Sequence, residues 1–385
     1  MHLRPENLLA LQRAHIPVGT LLHPEDLPFG TEKLVDEGVK IALVDHNSLL
    51  PEFGNNPDAV VAVIDHHEDE GAHPRADPRL IRTPTGSCSS LVTKHFMDKW
   101  KASVSGPAGA AGSPVPPELA TLLLSSILID TQGLKKGGKS VEADYEAVQF
   151  LYPLSTLVNG STSFSVQATK EGEISTLEAY ASELAEIKFN VTGMSTADLL
   201  QRDYKQYAWT SANKAYPTLH VGLSTVPMAL KNQLQAEPSG WQSYMAHVDA
   251  FMAERGIDVE GILTSFKSET KKKSKRELIL VVRSGASIPN VATAKQILEY
   301  LVDGLAAETE TFALAPWADG KSGAKGDLAA ESGKWLESST RVAAAFDQGN
   351  HRSTRKQVAP ALVSKPHRFK LTVGSSTSST SSRKK

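Results

Sequence analysis

The run Ala59-Val60-Val61-Ala62-Val63-Ile64-Asp65-His66-His67 decides the fold class. Its apolar part is mostly β-branched and reads as a strand buried on both faces, the pattern of a parallel sheet. Asp65, His66 and His67 then fall at the carboxyl end of that strand, where open α/β sheets place their ligand sites. A carboxylate and two imidazoles in that position are candidate metal or phosphate ligands.

The surrounding sequence keeps the same rhythm. Upstream, Pro5 to Gln12 predicts a short helix, and Gly38 to Val44 a second strand that ends in Asp45, followed by His46 and Asn47. Downstream, the small residues Gly86-Ser87-Cys88-Ser89-Ser90 supply N-cap chemistry for a helix over Ser89 to Trp100. Pro116-Pro117 lead into an all-round apolar helix that starts at Glu118 and runs towards Asp130-Thr131. Alternating strands and helices predict the α/β class, with a doubly wound parallel sheet over residues 1–155. Residues 101–118, rich in Ala, Gly, Ser and Pro, interrupt it as an insertion, and residues 156–175 read as a linker.

A second, smaller α/β domain is expected over 176–365. Its helices fall at Leu177 to Phe189 and Gly240 to Gly256, and its strands at Thr218 to Ser224, Gly261 to Thr264 and Glu277 to Val282. Residues 319–333 read as a further insertion. The Ser/Thr/Lys-rich stretch 366–385 reads as a disordered tail.

Composition narrows the function classes. The 385 residues are 40% hydrophobic and 22% charged, with a formal net charge of −2. Such a balance gives no general attraction to nucleic acid or to a membrane surface, so an anionic substrate needs a local cationic pocket. A single cysteine, Cys88, excludes an intrachain disulfide and suits the reducing cytoplasm. Residues 1–30 have no signal-peptide core. The apolar stretch Leu119 to Ile129, broken by Thr121, Ser125 and Ser126, is too short to span a bilayer. Oligomeric state is not legible.

Asp45, Asp65, His66, His67 and Asp130 are groups that such a topology can gather in one crevice. Oxygen ligands with imidazole suit Mn2+ or Mg2+, and one carboxylate shared by two ions would build a two-metal clamp on phosphorus. The alternative is that Asp45 and Asp130 only cap the turns after their elements. His46 reads as a turn residue and Cys88 as a small packed one. A cationic set follows in His351-Arg352-Ser353-Thr354-Arg355-Lys356-Gln357, where Arg355 offers a fork for phosphate oxygens and Lys356 a point charge. Lys205 is a third cation. The competing reading is a solvated basic turn, and Lys271 to Arg276 is read as an exposed loop.

Taken in order, these segments resemble the DHH phosphoesterase superfamily. Val63-Ile64-Asp65-His66-His67, Gly86-Ser87-Cys88-Ser89-Ser90-Leu91-Val92 and Ile127-Leu128-Ile129-Asp130-Thr131 carry the likeness in the first domain. Asp203-Tyr204-Lys205-Gln206-Tyr207, Ala253-Glu254-Arg255-Gly256-Ile257-Asp258 and Thr354-Arg355-Lys356-Gln357-Val358 look like the DHHA2 second domain. The pattern is most similar to the fungal exopolyphosphatases, relatives of the prune proteins and of the manganese-dependent family II pyrophosphatases. The resemblance implies hydrolysis of terminal phosphoanhydride bonds of inorganic polyphosphate or pyrophosphate by a metal-bridged hydroxide. It assigns Asp45, Asp65, His66 and Asp130 to two Mn2+ or Mg2+ ions, with Asp45 bridging. It assigns His67, Lys205, Arg355 and Lys356 to substrate phosphate. A prune-like nucleotide phosphodiesterase, and a non-catalytic remnant that binds polyphosphate or a protein partner, stay open as alternatives. Nothing in residues 1–44 matches the family's opening aspartate-bearing strand, so the first domain is expected to be incomplete at its amino end, with an exposed apolar sheet edge.

Overall fold

The computed structural model describes residues 3–363 apart from 29, 36, 51–52, 55, 105–112, 159–170, 211–217, 269–272, 286 and 319–335. The chain divides into two units, Met1–Asn190 and Val191–Lys385. Most of the expected linker, the centres of both expected insertions, the first lysines of the basic loop and the expected tail lie outside the described residues.

The first unit contains helix α1 (Pro5–Arg13), strands β1 (Ile41–Val44), β2 (Val60–Asp65) and β3 (Arg79–Ile81), and helices α2 (Cys88–Val104), α3 (Pro117–Thr131), α4 (Glu142–Leu151) and α5 (Glu171–Phe189). The strands pair in the order β1-β2-β3, all parallel, with Leu43 opposite Val63 and Val44 opposite Ile64. Side chains alternate across a sheet. Accordingly Val63 and Leu43 join one small cluster, while Ile64 packs on the other face against Cys88 and Leu91 of α2.

Burial of β2 is less complete than its apolar run predicts, because Val61 stays 41% exposed. A second exposed apolar residue lies on β1: Val44, opposite Ile64, is 55% exposed where Ile64 is buried. The outer edge of β1 has no strand partner among the described residues. The main core of this unit is helical. Leu124, Ile127 and Leu128 of α3 pack with Ala147, Val148 and Leu151 of α4 and with Leu177, Tyr180, Ala181 and Leu184 of α5. Those four contacts give α5 to the first unit, whereas the sequence reading opened the second domain at residue 176.

The second unit contains α6 (Thr196–Arg202), β4 (Tyr204–Thr210), β5 (Thr218–Val226), α7 (Leu230–Ala236), α8 (Trp241–Arg255), β6 (Val259–Thr264), β7 (Phe266–Lys267), β8 (Ser274–Arg283), α9 (Val291–Ala306), α10 (Thr309–Phe312), β9 (Leu314–Pro316), β10 (Arg341–Gln348) and α11 (Arg355–Val363). Its seven-stranded sheet runs β4-β5-β6-β8-β10-β9, with β7 on β8. Only the β5–β6 pair is parallel, so the sheet is mixed and is the larger of the two. Both faces are covered. Leu278, Leu280 and Val282 face a core shared with α9 and α11, and Ile279 and Val281 face one shared with α6, α7 and α8. A strand sandwiched in this way has to be continuously apolar.

One glycine in this sheet is forced. A Cβ at Gly222 would stand 2.1 Å from Oε2 of Glu260, its parallel partner on β6. Glu260 is fully buried and its carboxylate oxygens have no hydrogen bond of good geometry among the described residues. Burial pushes its carboxyl up to about 8, opposed only by the neighbouring Ser224. Among the described residues no helix is long and apolar enough to cross a membrane.

Candidate metal centre

Asp65 ends β2 with its side chain at 0% exposure, and the chain after it folds back around the carboxylate. Oδ1 accepts the His66 amide at 2.7 Å, the His67 amide at 3.3 Å and His67 Nδ1 at 2.8 Å. Oδ2 accepts Asn47 Nδ2 at 2.6 Å. Burial pushes the Asp65 carboxyl up, but the bonds from His67 and Asn47 outweigh it and hold the group below its ordinary value. A carboxylate with several donors aimed at it stays ionised even when buried.

Asp45 follows β1 and extends its ladder, its amide donating to the Ile64 carbonyl at 3.1 Å. It adopts a left-handed backbone, φ 62°, which few non-glycine residues tolerate and which re-aims the side chain at the strand end. Its Oδ1 lies 3.2 Å from His66 Nε2 and 3.8 Å from His67 Nδ1. The side chain is 61% exposed, so the cluster opens to solvent on this side. Burial raises this carboxyl as well, yet His66 and His67 together hold it below the usual range.

The bond from His66 Nδ1 to the Thr85 carbonyl, 3.0 Å, fixes the orientation of that ring. A carbonyl can only accept, so Nδ1 carries the hydrogen and Nε2 is the atom turned to Asp45. That arrangement presents a metal-binding lone pair whenever the ring is neutral. Asp45 raises the pKa of His66 above its ordinary value, against the opposing effect of burial.

Asp130 sits in the last turn of α3, where its Oδ2 accepts Ser87 Oγ at 2.8 Å. Burial lifts its carboxyl above the ordinary range, Ser87, Lys188 and His66 oppose that, and the charge of Asp45 adds to it. A helix carboxyl end is itself an unfavourable place for an anion. Asp130 lies near enough to Asp45 and His66 for their charges to act on it.

Two sets of ligand atoms lie within 4.8 Å of one another: Asp45, His66 and His67, and Asp45, Asp65 and Cys88. Asp45 belongs to both, and Asp130 to neither. Carboxylates crowded against imidazoles are what a divalent cation resolves, and the oxygen and nitrogen donors suit Mn2+ or Mg2+. Cys88 does not add a thiolate. Its Sγ donates to the Ile64 carbonyl at 3.2 Å, and burial together with the nearby aspartates pushes the thiol up to about 12. His46 is an exposed turn residue bonded to the Asp45 carbonyl.

The expected phosphate-binding cations all lie in the second unit. Arg355, at the first turn of α11, is already engaged: its guanidinium donates to the Asp203 carbonyl at 2.7 Å and to Asp203 Oδ1 at 2.8 Å. That tie joins α11 to the start of β4, where Lys205 is exposed; Lys356 is exposed beside Arg355. Three further residues with structural purchase on the cluster escaped the sequence reading. Asn47 holds Asp65 from 18 residues away, Thr85 fixes His66, and Asp144 grips the loop that carries Ser87. The only local signal for any of them is the Asp-His-Asn order at residues 45–47.

Comparison with known proteins adds the family context. Residues 182–364 match the DHHA2 domain. A Schizosaccharomyces pombe protein provisionally named an exopolyphosphatase is 32% identical over 208 residues, 54% of this chain and 49% of that protein. A Lactiplantibacillus plantarum protein provisionally named a manganese-dependent inorganic pyrophosphatase is 29% identical over 194 residues, 47% and 57% of the two chains. Human exopolyphosphatase PRUNE1 is 25% identical over 304 residues, 78% of this chain and 56% of its own. The chain thus spans about half the length of the curated relatives it matches, and the match to PRUNE1 takes in more than the DHHA2 domain.

Proposed function

We propose that the chain hydrolyses terminal phosphoanhydride bonds of inorganic polyphosphate or pyrophosphate, using Mn2+ or Mg2+ held by Asp45, Asp65, His66 and Asp130. The observation that carries this reading is the position of Asp45, an open carboxylate shared by two ligand groups and facing the Nε2 of an oriented histidine. The names of the relatives, exopolyphosphatase and manganese-dependent pyrophosphatase, support the same chemistry. A bound divalent ion supplies Lewis acidity and lowers the pKa of water.

The chain's own residues do the rest. Asp65, locked by four donors, and Asp45, strained at its strand end, present negative oxygens where they need no rearrangement. His66 is held in a single tautomer by Thr85. His67 donates Nδ1 to Asp65; its Nε2 donates to a phosphate oxygen only when the ring is an imidazolium, since both nitrogens then carry hydrogen. In the second unit, Lys205, Arg355 and Lys356 are the proposed phosphate-binding cations, with Arg355 exchanging part of its contact to Asp203 for substrate. The protein is proposed to work in the cytoplasm, without nucleic acid or membrane partners.

The test is phosphate release from long-chain polyphosphate and from pyrophosphate with Mn2+, with Mg2+ and after chelation. Release that depends on the ion and is lost in Asp45→Asn supports the reading. Ion-independent release, or none from either substrate while a nucleotide phosphodiester is cleaved, overturns it.

A further inference from the structure

Asp144, like Asp65, accepts four hydrogen bonds, yet neither the proposed chemistry nor the family resemblance assigns it. Asp144 is 0% exposed, on the first turn of α4. Its Oδ1 accepts the Ser87 amide at 3.1 Å and Ser90 Oγ at 2.6 Å; its Oδ2 accepts the Gly86 amide at 3.0 Å and the Val141 amide at 2.8 Å. The Val141 bond is ordinary helix capping, an early acidic side chain reaching back to a free amide. The other three reach 54 to 58 residues back along the chain, to the loop before α2 and to Ser90 in its first turn.

Packing allows that loop little freedom. A Cβ at Gly86 would stand 2.6 Å from Asp144 Oδ2 and 2.7 Å from Thr131 Cγ2. Only glycine lets the loop backbone come this close to Asp144 and to the residue following Asp130. Ser87, itself 0% exposed and held by its amide, then extends its hydroxyl to Asp130 Oδ2 at 2.8 Å. Oδ1 of Asp130 is left without a hydrogen-bond partner among the described residues.

We infer that Asp144 is a positioning residue of the metal centre: it fixes the Gly86–Ser87 backbone so that the Ser87 hydroxyl orients Asp130 towards the ion. The inference rests on the metal-binding role proposed for Asp130. It assigns to the Gly-Ser-Cys loop a purpose beyond starting a helix. Outer groups that orient a ligand in this way characteristically change metal affinity by about 10–100-fold when removed.

The test uses the full chain stripped with a chelator and titrated with Mn2+ alone, following free Mn2+ by electron paramagnetic resonance. Circular dichroism and melting temperature are recorded in chelator. Asp130→Asn reports on the ligand itself and is expected to weaken binding. Ser87→Ala and Asp144→Asn are each expected to weaken it by about 10–100-fold. Combined, they should fall short of the product of the two single effects, because both act through one contact to Asp130. A folded Asp144→Asn with a lowered melting temperature and wild-type Mn2+ affinity overturns the inference and leaves Asp144 as a helix cap. Should Asp144→Asn fail to fold, Gly86→Ala, which forces Asp144 Oδ2 aside, takes its place: weakened Mn2+ binding supports the chain of contacts, and unchanged binding overturns it. Unchanged affinity in Asp130→Asn is a different failure, because it removes Asp130 from the ligand set, and with it the premise of this inference, while the Asp45 cluster stands.

Discussion

Asp65 in the first unit and Glu277 in the second are both strand carboxylates, 0% and 6% exposed, and each is the focus of several donors. Glu277 accepts the Leu230 amide at 2.7 Å, Trp317 Nε1 at 3.0 Å and Thr264 Oγ1 at 3.1 Å, all buried. Asp65 accepts from an imidazole that is itself part of the next ligand group, beside an Asp45 that is 61% exposed. The electrostatics part in the same way. Burial keeps the Glu277 carboxyl above its ordinary value despite its donors, whereas the donors of Asp65 bring it below. A buried acid sealed by an indole, a hydroxyl and a backbone amide ties a core together. One whose donors are titratable and reach solvent is prepared for an ion.

Substitutions at the two positions should therefore fail differently. Asp65→Asn is expected to carry the largest effect on Mn2+ affinity, a loss on the order of a hundredfold or more, since removing even an outer group costs about 10–100-fold. Its melting temperature in chelator should move little by comparison. Glu277→Ala should do the reverse. Three buried donors left unsatisfied cost about 3–5 kcal/mol, read as a lower denaturant midpoint, with Mn2+ affinity retained by the folded fraction. Equal damage to affinity and stability at both positions would erase the distinction.

Glu260 sharpens the comparison through pH. Its folded pKa, raised to about 8, lies above the unfolded value near 4.5. The unfolded chain therefore ionises first, so stability present below about pH 4.5 is progressively lost as pH rises to about 8. Glu260→Gln should flatten that slope and stabilise the second unit above pH 8, by an amount on the order of a few kcal/mol. Melts of both proteins at pH 6 and pH 9 check the sign; parallel curves would mean that Glu260 is solvated. The smallest effect belongs to the first unit's open edge. Ala42→Lys on β1 should reduce concentration-dependent self-association in light scattering, as charged residues do on exposed strand edges.

Sequence made some of this architecture legible and hid the rest for physical reasons. Apolar runs announced β2, β6 and β8; β6 and β8 are covered on both faces, whereas β2 leaves Val61 41% exposed. Asp45, Asp65, His66 and His67 were legible because a strand end is local: the side chains that meet are adjacent in sequence or end neighbouring strands. Asn47, Ser87 and Asp144 were not, because their partners lie 18, 43 and 54 to 58 residues away. The apolar spacing of Ala294, Ile297, Leu298, Leu301 and Leu305 does mark α9, which the sequence reading left unassigned. The apolar face of α5 fits either domain by composition; its packing against α3 and α4 groups it with the first unit, while the DHHA2 match begins within it at residue 182.

Asp45 is the residue on which the metal centre depends most directly. Equilibrium dialysis of the chelator-stripped chain against micromolar Mn2+, with the bound ion counted by elemental analysis, should find at least one Mn2+ per wild-type chain. Asp45→Asn should lower the affinity at least tenfold, because that carboxylate belongs to both ligand groups. Wild-type protein that binds no Mn2+, or an Asp45→Asn variant that binds it as tightly, would contradict the assignment of this cluster as a metal centre.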